Sequence, residues 1–378
     1  MPQASIPAPR TWSPADLVYV PRLRADVTNA VAFLSSRPAF AGQNTTGATW
    51  GSGADNNLGL NAELLDSWNG HATGTSVPGA ASSKYYAPVA GWYLCRSAVA
   101  FDTFAAPAQA VTMGGFNWTL GGAAQATVRG GVCIVNSGPS LYAQCCDLIE
   151  QTASGPVGGG GDWIQATAQQ NTGSGLALAT GVMAPWVSVR WVCATSGTQP
   201  LPVPPLTAVP SPITAAWLNG NVRDAVRFLT YPPIAKASYT AGSSTLASTI
   251  FPAGSVVPLT TVAADNYGGV TTGAAAGYTA PVSGRYWVYG QLNLASSSVT
   301  TAYYAGVAVN GGTPQWGDGS FNSNASLAAV GGATAGRYLR LSAGDKVQLM
   351  GCQGSGSAIA YNTTAANQTR LIAVWTGA

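Results

Sequence analysis

The chain has 378 residues, more than one ordinary hydrophobic core requires, so two or three domains are expected. Glycine and proline supply 71 residues (47 plus 24) whereas charged residues make up only 8%, a composition that favours many short strands and turns. An apolar content of 47% excludes a disordered chain, and a net charge of +3 on scattered basic residues excludes an extended nucleic-acid surface.

The first segment, residues 1–17, is predicted to be a proline-containing arm that docks on a partner protein. It lacks the charged and apolar regions of a secretory signal. No later stretch approaches the roughly 20 apolar residues that cross a bilayer. We therefore expect a protein that is made in the cytoplasm of its host cell and is not inserted into a membrane.

Two short amphipathic helices are predicted, at residues 18–37 and 213–232. The segment Leu23 to Leu34 aligns with Leu218 to Leu229 at six of twelve positions, and the shared apolar residues have the spacing of one helix face. Prolines end both helices because proline cannot donate the next backbone hydrogen bond. The predicted apolar faces comprise Leu23, Val27, Ala30, Val31 and Leu34 in the first copy and Leu218, Val222, Ala225, Val226 and Leu229 in the second.

A second repeated motif predicts a turn followed by a strand in each copy. Tyr85 to Tyr93 (YYAPVAGWY) and Tyr278 to Tyr286 (YTAPVSGRY) are identical at six of nine positions. Proline and glycine at fixed positions favour the turn, and the aromatic run after it favours the strand. Further predicted strands are Gly131–Val135, Asp162–Ala166, Val187–Cys193, Tyr303–Val309, Tyr338–Leu341, Lys346–Met350 and Arg370–Trp375. Their spacing predicts a β-sandwich at residues 38–197 and another at 233–378.

Two segments rich in proline or glycine connect these elements. Residues 198–212 contain six prolines, which favour an extended polyproline II spacer that would hold the two domains apart. The glycine-rich stretch Gly155–Asp162 lacks the Lys-Ser/Thr of a phosphate-binding loop and is predicted to be a surface hairpin loop.

Six cysteines show no paired zinc-site spacing and are predicted to be structural. They are Cys95, Cys133, Cys145, Cys146, Cys193 and Cys352. Because adjacent residues of a strand point to opposite faces, we expect one of Cys145 and Cys146 to be buried.

The sequence offers little material for a catalytic site. The single histidine, His71, is predicted to be an exposed loop residue without a partner. The close acidic pairs, Glu63 with Asp66 and Asp147 with Glu150, are predicted to be solvated or to cap turns. Asp265 and Asp345 occupy turn positions, where Asp commonly accepts hydrogen bonds from its own backbone. We therefore expect no enzyme, no cofactor and no metal.

Tryptophans in or beside predicted loops are candidates for contacts with other molecules, because an indole ring stacks on sugars and is enriched at protein interfaces. The alternative for each is an ordinary core position. The candidates are Trp68, Trp118, Trp163, Trp186 and Trp316.

Several motifs of the second copy resemble the globular head of complement and tumour-necrosis-factor-like proteins. They are DNYGG at 265–269, YTAPVSGRYWVYGQL from 278, YYAGVAVNGG from 303 and LRLSAGDKVQL at 339–349. The first copy carries degenerate counterparts, DSWNG at 66–70, YYAPVAGWYLC from 85 and GGDWIQA at 160–166. The resemblance implies an all-β chain of two tandem ten-stranded jelly rolls, each preceded by a short helix, that associates into homotrimers.

The opening PRTWSPADLVYVPRLRADVTNAVAFLSSRP resembles the start of many minor tail proteins of bacteriophages that infect actinobacteria. It departs from that pattern at Arg24-Ala25-Asp26, where an Asn-containing stretch is usual, and the second copy lacks the Arg-Thr-Trp opening. The resemblance implies a virion structural protein of the tail tip or baseplate that takes part in assembly and host attachment. It would dock on other virion proteins through the arm and the first domain.

Two other functions stay open from the sequence. One is a capsid decoration protein of the same fold, on the head and not on the tail. The other is a carbohydrate-binding adhesin whose loops bind a glycan or protein of the host envelope. All three place the protein on the virion surface.

Overall fold

The computed structural model describes residues 11–14, 16, 20–72, 83–102, 110–135, 143–152, 155, 157, 160–170, 172–195, 214–249, 251–295, 301–317, 320–322, 331–364 and 368–377. The start of the predicted arm, the predicted proline-rich spacer and residues 156, 158 and 159 of the glycine-rich stretch lie outside these residues. Two β-sandwich domains account for most of the described chain, which confirms the predicted all-β class.

The first domain contains thirteen strands among its described residues. They are β1 Ala39–Gln43, β2 Thr49–Trp50, β3 Asn56–Asn57, β4 Ala62–Asp66, β5 Lys84–Tyr86, β6 Gly91–Val99, β7 Ala110–Leu120, β8 Ala123–Ala124, β9 Val128–Val135, β10 Ala143–Gln151, β11 Trp163–Gln170, β12 Leu176–Ala177 and β13 Trp186–Cys193. A 3₁₀ turn, Gly181–Met183, precedes the last of them.

The second domain contains fourteen strands among its described residues. They are β14 Ile234–Tyr239, β15 Thr245–Leu246, β16 Ser255–Val256, β17 Thr261–Asp265, β18 Val270–Thr271, β19 Gly277–Thr279, β20 Gly284–Leu294, β21 Thr301–Val309, β22 Gln315–Trp316, β23 Ser320–Asn322, β24 Gly331–Leu341, β25 Lys346–Gln353, β26 Ile359–Ala360 and β27 Thr369–Gly377. Short strands at the sheet margins raise both domains above the expected ten.

The sheet order is the same in the two domains. Each has one five-stranded antiparallel sheet, β10-β6-β13-β1-β4 in the first domain and β24-β20-β27-β14-β17 in the second. Facing it is a second sheet, built on β11-β7 in the first domain and on β25-β21 in the second. The strands that are neighbours in space are mostly distant in sequence, which is the crossed connectivity of a jelly roll. The strand-by-strand correspondence confirms the duplication.

A helical segment precedes each domain. The first is α1, Val20–Ser35. The second is α2, Ala215–Leu218, followed by a π-helical turn, Asn219–Arg223, and α3, Asp224–Thr230. The predicted buried face of α1 is wrong at Val31, which is 57% exposed. Ala30 of the predicted face is buried, and so is Phe33, which the prediction did not include. The ring of Phe33 packs edge-on against Trp191 of β13 at 5.0 Å.

The repeated Ala-Pro-Val motif has a physical explanation in the first domain. Gly91 has φ +156°, and a Cβ on it would lie under 3.0 Å from the indole nitrogen of Trp191. The hydroxyl of Tyr93 donates to the carbonyl of Val89 at 2.6 Å and so closes the turn. The motif therefore joins the start of β6 to the end of β13.

The second domain repeats this arrangement. Gly284 has φ +154°, and a Cβ there would lie under 3.0 Å from the indole nitrogen of Trp375. Tyr286 donates to the carbonyl of Val282 at 2.8 Å. The conserved spacing of proline, glycine and tyrosine thus preserves one steric and one hydrogen-bond requirement in both copies.

A buried glutamine fixes the opposite end of each sandwich. Gln170 donates to the carbonyls of Trp50 at 3.1 Å and Ser174 at 2.7 Å. Gln353 donates in the same way to the carbonyls of Leu246 at 3.0 Å and Ser357 at 2.6 Å. Because buried backbone carbonyls need donors, each glutamine stabilises a loop that would otherwise lack them.

Each domain has its own hydrophobic core between its two sheets. A third buried cluster joins the domains and contains residues of both. The prediction that a spacer holds the domains apart is therefore wrong: the outer surface of the second domain is apolar, and covering it removes that surface from water.

Candidate functional site: the contact between the two domains

The contact between the domains is formed by unlike surfaces. The second domain presents the outer face of its five-stranded sheet, the face that points away from its own core. The first domain presents β10, β9, part of β6 and the end of β13. The buried apolar residues at this contact are Cys146, Leu148, Val192, Cys193, Ile234, Ala264, Trp287, Tyr289, Ile372 and Val374.

A buried ion cluster lies within this contact. Asp147 on β10 is fully buried, and its Oδ1 lies 2.7 Å from the Nζ of Lys236 on β14. Its Oδ2 lies 3.5 Å from Nη1 of Arg370 on β27. Both cations belong to the second domain, so the only carboxylate of the cluster is supplied by the first.

Polar contacts complete the cluster. Nη2 of Arg370 donates to Oε1 of Gln291 at 2.7 Å, and Nε2 of Gln291 donates to the carbonyl of Arg129 on β9 at 3.0 Å. Burial by itself lowers the pKa of Arg370, but the combined attraction of Asp147, Cys145, Tyr289 and Cys146 outweighs it and the pKa is raised. The guanidinium therefore stays charged, and removing its carboxylate partner would leave a buried charge uncompensated.

The backbone of β9 approaches this cluster closely. A Cβ on Gly130 would lie 2.6 Å from Oε1 of Gln291 and 3.1 Å from Nη2 of Arg370. A side chain at this position would therefore displace Gln291 and Arg370 of the neighbouring domain, which favours glycine. Nothing in the sequence of the first copy alone reveals that preference.

The two adjacent cysteines separate as expected but are both buried. Cys145 faces the core of the first domain and Cys146 faces the second domain. The prediction of a single buried thiol is wrong because the outer face of β10 is covered by the second domain. Burial raises the pKa of Cys145 to about 12 and that of Cys146 to about 11.

The predicted solvated role of Asp147 is likewise wrong, since a carboxylate at a domain contact needs cations and not water. Asp66 does cap a turn, and it accepts hydrogen bonds from the backbone N–H groups of Gly70 at 3.1 Å and His71 at 2.8 Å. Asp265 accepts from Gly269 at 3.0 Å in the same loop of the second copy. Asp345 accepts from the backbone of Ser342 at 2.7 Å, as predicted for a turn.

His71 is not an exposed loop residue. It is buried, its ring stacks on Phe40 at 4.6 Å, and its Nδ1 lies 3.2 Å from Oε2 of Glu63. The sequence-based prediction failed because the polar residues around His71 form a turn that folds back over β1. Among the described residues no group of three or more His, Cys, Asp or Glu side chains is placed to hold a metal ion.

The candidate tryptophans are spread over both domains, and all five are half-buried. Trp68 donates its indole N–H to the carbonyl of Ser36 at 2.5 Å and so fixes the end of α1. Trp118 packs against the core of the first domain. The ammonium of Lys84 lies 4.2 Å from the ring of Trp163.

Of the other two candidates, Trp186 belongs to β13 of the first domain and Trp316 to β22 of the second. Trp186 lines a cavity at the domain contact, and Trp316 packs against Phe251 at 5.6 Å. The five rings do not form one surface patch. Their proposed role in binding other molecules stays a prediction.

The described part of the arm contacts the chain itself. Trp12 is buried, its backbone N–H donates to Oδ1 of Asn219 at 2.8 Å, and its carbonyl accepts from Nδ2 of the same residue at 2.8 Å. The arm is thereby attached to the helical segment of the second domain. Trp12 and Asn219 are 207 residues apart, so no local sequence pattern predicts this contact.

No family model and no curated protein matches this chain. Two solved structures are similar to about one domain's length of it. The globular domain of zebrafish complement 1qA protein has 15% identity and a TM-score of 0.26, with 37% of this chain and 92% of that chain covered. Murine APRIL has 13% identity and a TM-score of 0.28, and the match covers 38% of this chain and 98% of that chain. The likeness concerns the fold alone.

In the part of the chain that the structure describes, no helix is long and apolar enough to span a membrane.

Proposed function

We propose that the chain is a non-enzymatic structural protein of a bacteriophage particle, a minor tail protein of the tail tip or baseplate. The observation that carries the proposal is the buried contact between two jelly rolls of one chain. A surface that combines apolar residues with a paired ion cluster is built for stable protein association. The phage assignment is supported by the resemblance of the helical opening to tail proteins.

The contacts made by the ionisable side chains favour a role in assembly over one in catalysis. Asp147 is neutralised at the domain contact, Asp66 caps a turn, and His71 is stacked in the first domain's core. Each has a structural partner that would compete with any substrate. A catalytic base must instead direct its own proton-accepting atom at the substrate.

Assembly into homotrimers is part of the proposal, and the first domain offers a surface for it. In the first domain, Leu65 of β4 lies opposite Ala41 of β1. The equivalent residue in the second domain is Ala264 of β17, which lies opposite Lys236 of β14. Ala264 is buried by the first domain, whereas Leu65 is 49% exposed. The outer face of the first domain's sheet is covered at its β10 and β6 end and exposed at its β4 end, where Leu65 lies, and we propose that copies of the chain associate at the exposed end.

Sedimentation velocity tests this association. We expect trimers for the wild-type chain and a shift to monomers for Leu65→Glu, because a charge would be buried in the contact. Val182→Glu is the matched control, since Val182 is 96% exposed on the turn before β13 and lies away from this face. A monomeric wild-type chain, or equal loss of trimers in both variants, would contradict the proposed surface.

Labelled antibody on purified particles tests the location. Binding at the tail tip or baseplate is expected. Binding over the head would favour the decoration protein, and absence of the protein from purified particles would refute the proposal. Glycan-array binding by the full chain, lost in Trp163→Ala and retained in Trp68→Ala, would favour the adhesin instead.

A further inference from the structure

A cavity of about 270 Å³ lies at the contact between the two domains. Its walls come from β6 and β10 of the first domain and from β20 and β24 of the second. Small-molecule sites have volumes of roughly 300–1,000 Å³. This one is slightly below that range, which favours an ion or a single sugar over an extended chain.

Two guanidinium groups line the cavity, one from each domain. Arg96 lies 4.8 Å from the ring of Trp287 and 5.8 Å from that of Trp186. Among the described residues, the Arg96 side chain has no carboxylate partner and donates no hydrogen bond, and its contacts are with aromatic rings. Its planar donors are held between aromatic rings with their hydrogen-bonding capacity unused.

The second guanidinium is held in place by its own domain. Arg337 donates from Nη2 to the carbonyl of Trp316 at 2.6 Å and from Nη1 to that of Gly336 at 2.9 Å. A guanidinium has five N–H donors, so these two contacts orient the group and leave others free. Neither contact neutralises its charge.

The described part of the remaining wall carries no compensating negative charge. Among the residues that the structure describes, no Asp or Glu lines the cavity, and the nearby Asp147 is paired with Lys236 and Arg370. The lining thiols of Cys145 and Cys146 are neutral at physiological pH because burial raises the pKa of each. The described lining therefore carries a net positive charge, from Arg96 and Arg337.

A buried hydroxyl adds an unused polar group. Ser97 on β6 is 1% exposed and lines the cavity, and its Oγ has no hydrogen-bond partner in the described structure. A buried polar atom without a partner costs free energy. Because Ser97 and Arg96 are adjacent on β6, their side chains leave the strand on opposite faces, and the Ser97 Oγ lies towards Gly114 of β7. The ligand contacts therefore rest on the two guanidinium groups.

We propose that this cavity binds a small oxyanion, a carboxylate or a phosphate, between Arg96 of the first domain and Arg337 of the second. Guanidinium groups form paired, charge-assisted hydrogen bonds to these planar or tetrahedral oxygens. Because the two arginines belong to different domains, the bound anion stabilises the contact between them. The inference is independent of the proposed place in a phage particle.

Thermal denaturation and titration calorimetry of the full chain test the site. The probes are sodium phosphate and sodium glucuronate, each compared with sodium chloride at equal ionic strength and with neutral glucose. We expect saturable binding and a Tm that rises with ligand concentration. Binding of phosphate alone would identify a phosphate or phosphoester source, and binding of glucuronate alone a sugar acid; either supports the site.

Arg96→Gln and Arg337→Gln are each expected to weaken binding at least roughly tenfold, since each removes charged hydrogen bonds. Arg96→Lys, which retains the charge and loses the planar donors, is expected to bind with intermediate affinity. The matched control is Arg340→Gln, because Arg340 is exposed on the same strand as Arg337 and does not line the cavity. No effect of either anion beyond chloride, or equal losses in Arg337→Gln and Arg340→Gln, would overturn the proposal.

Discussion

Replacing Asp147 by Asn tests how strongly the ion cluster holds the two domains together. The substitution retains shape but removes the only carboxylate of the cluster, so Lys236 and Arg370 would face each other as uncompensated charges. Breaking a buried ion pair by removing one partner costs about 3–5 kcal/mol. The Lys236 side chain is 13% exposed and can hydrate in part, whereas Arg370 cannot. We therefore expect a loss near the lower end, about 3 kcal/mol.

Urea denaturation followed by tryptophan fluorescence and circular dichroism measures this loss. Each domain has a core of its own, so the variant is expected to unfold in two separated transitions as the domains uncouple. Glu150→Gln is the matched control on the same strand: Glu150 is half-exposed and is expected to change stability by less than about 0.5 kcal/mol.

A variant with apolar residues at all three positions, Asp147→Leu with Lys236→Met and Arg370→Met, is expected to be more stable than Asp147→Asn, because no charge stays buried. A loss below about 1 kcal/mol in Asp147→Asn, with a single transition retained, would refute the reasoning.

Other predictions concern the repeated turn and the thiols. Gly91→Ala and Gly284→Ala are each expected to lower stability by about 3 kcal/mol or more in thermal denaturation, because both a strained φ and an indole ring oppose a Cβ; an unchanged Tm would contradict this. Tyr286→Phe is expected to cost about 1 kcal/mol in the same assay through loss of its hydrogen bond to a backbone carbonyl. Cys145 and Cys146 are expected not to react with Ellman's reagent at pH 8 until the chain unfolds, since burial raises the pKa to about 12 and about 11 and leaves both thiols protonated. Rapid reaction in the native state would show that the domain contact opens.

The sequence predicts the fold well where a local pattern carries the information. The Ala-Pro-Val motif identifies a turn and a strand because proline, glycine and tyrosine act within a few residues of one another. The helical spacing predicts α1 but assigns Val31 to the wrong face, since the packing partner of Phe33 is Trp191, far along the chain. Periodicity locates an amphipathic element and does not identify what covers it.

The candidate site could not be predicted because its residues come from both copies. Asp147 reads as a surface carboxylate beside Glu150 until Lys236 and Arg370 are brought to it from the other domain. No local turn pattern marks Gly130. Glycine is favoured there because a Cβ would approach the side chains of Gln291 and Arg370. Docking of one duplicated domain on another depends on the shape and charge of two folded surfaces.

Double electron–electron resonance tests the docking of the two domains most directly. Spin labels at Val182→Cys and Thr272→Cys place one probe on an exposed turn of each domain, and dilution with unlabelled chain removes signals between copies. For docked domains we expect one narrow distance distribution in the wild-type background and a broad one in Asp147→Asn. A broad distribution in the wild-type background would show two domains joined only by their linker and would contradict the docked arrangement.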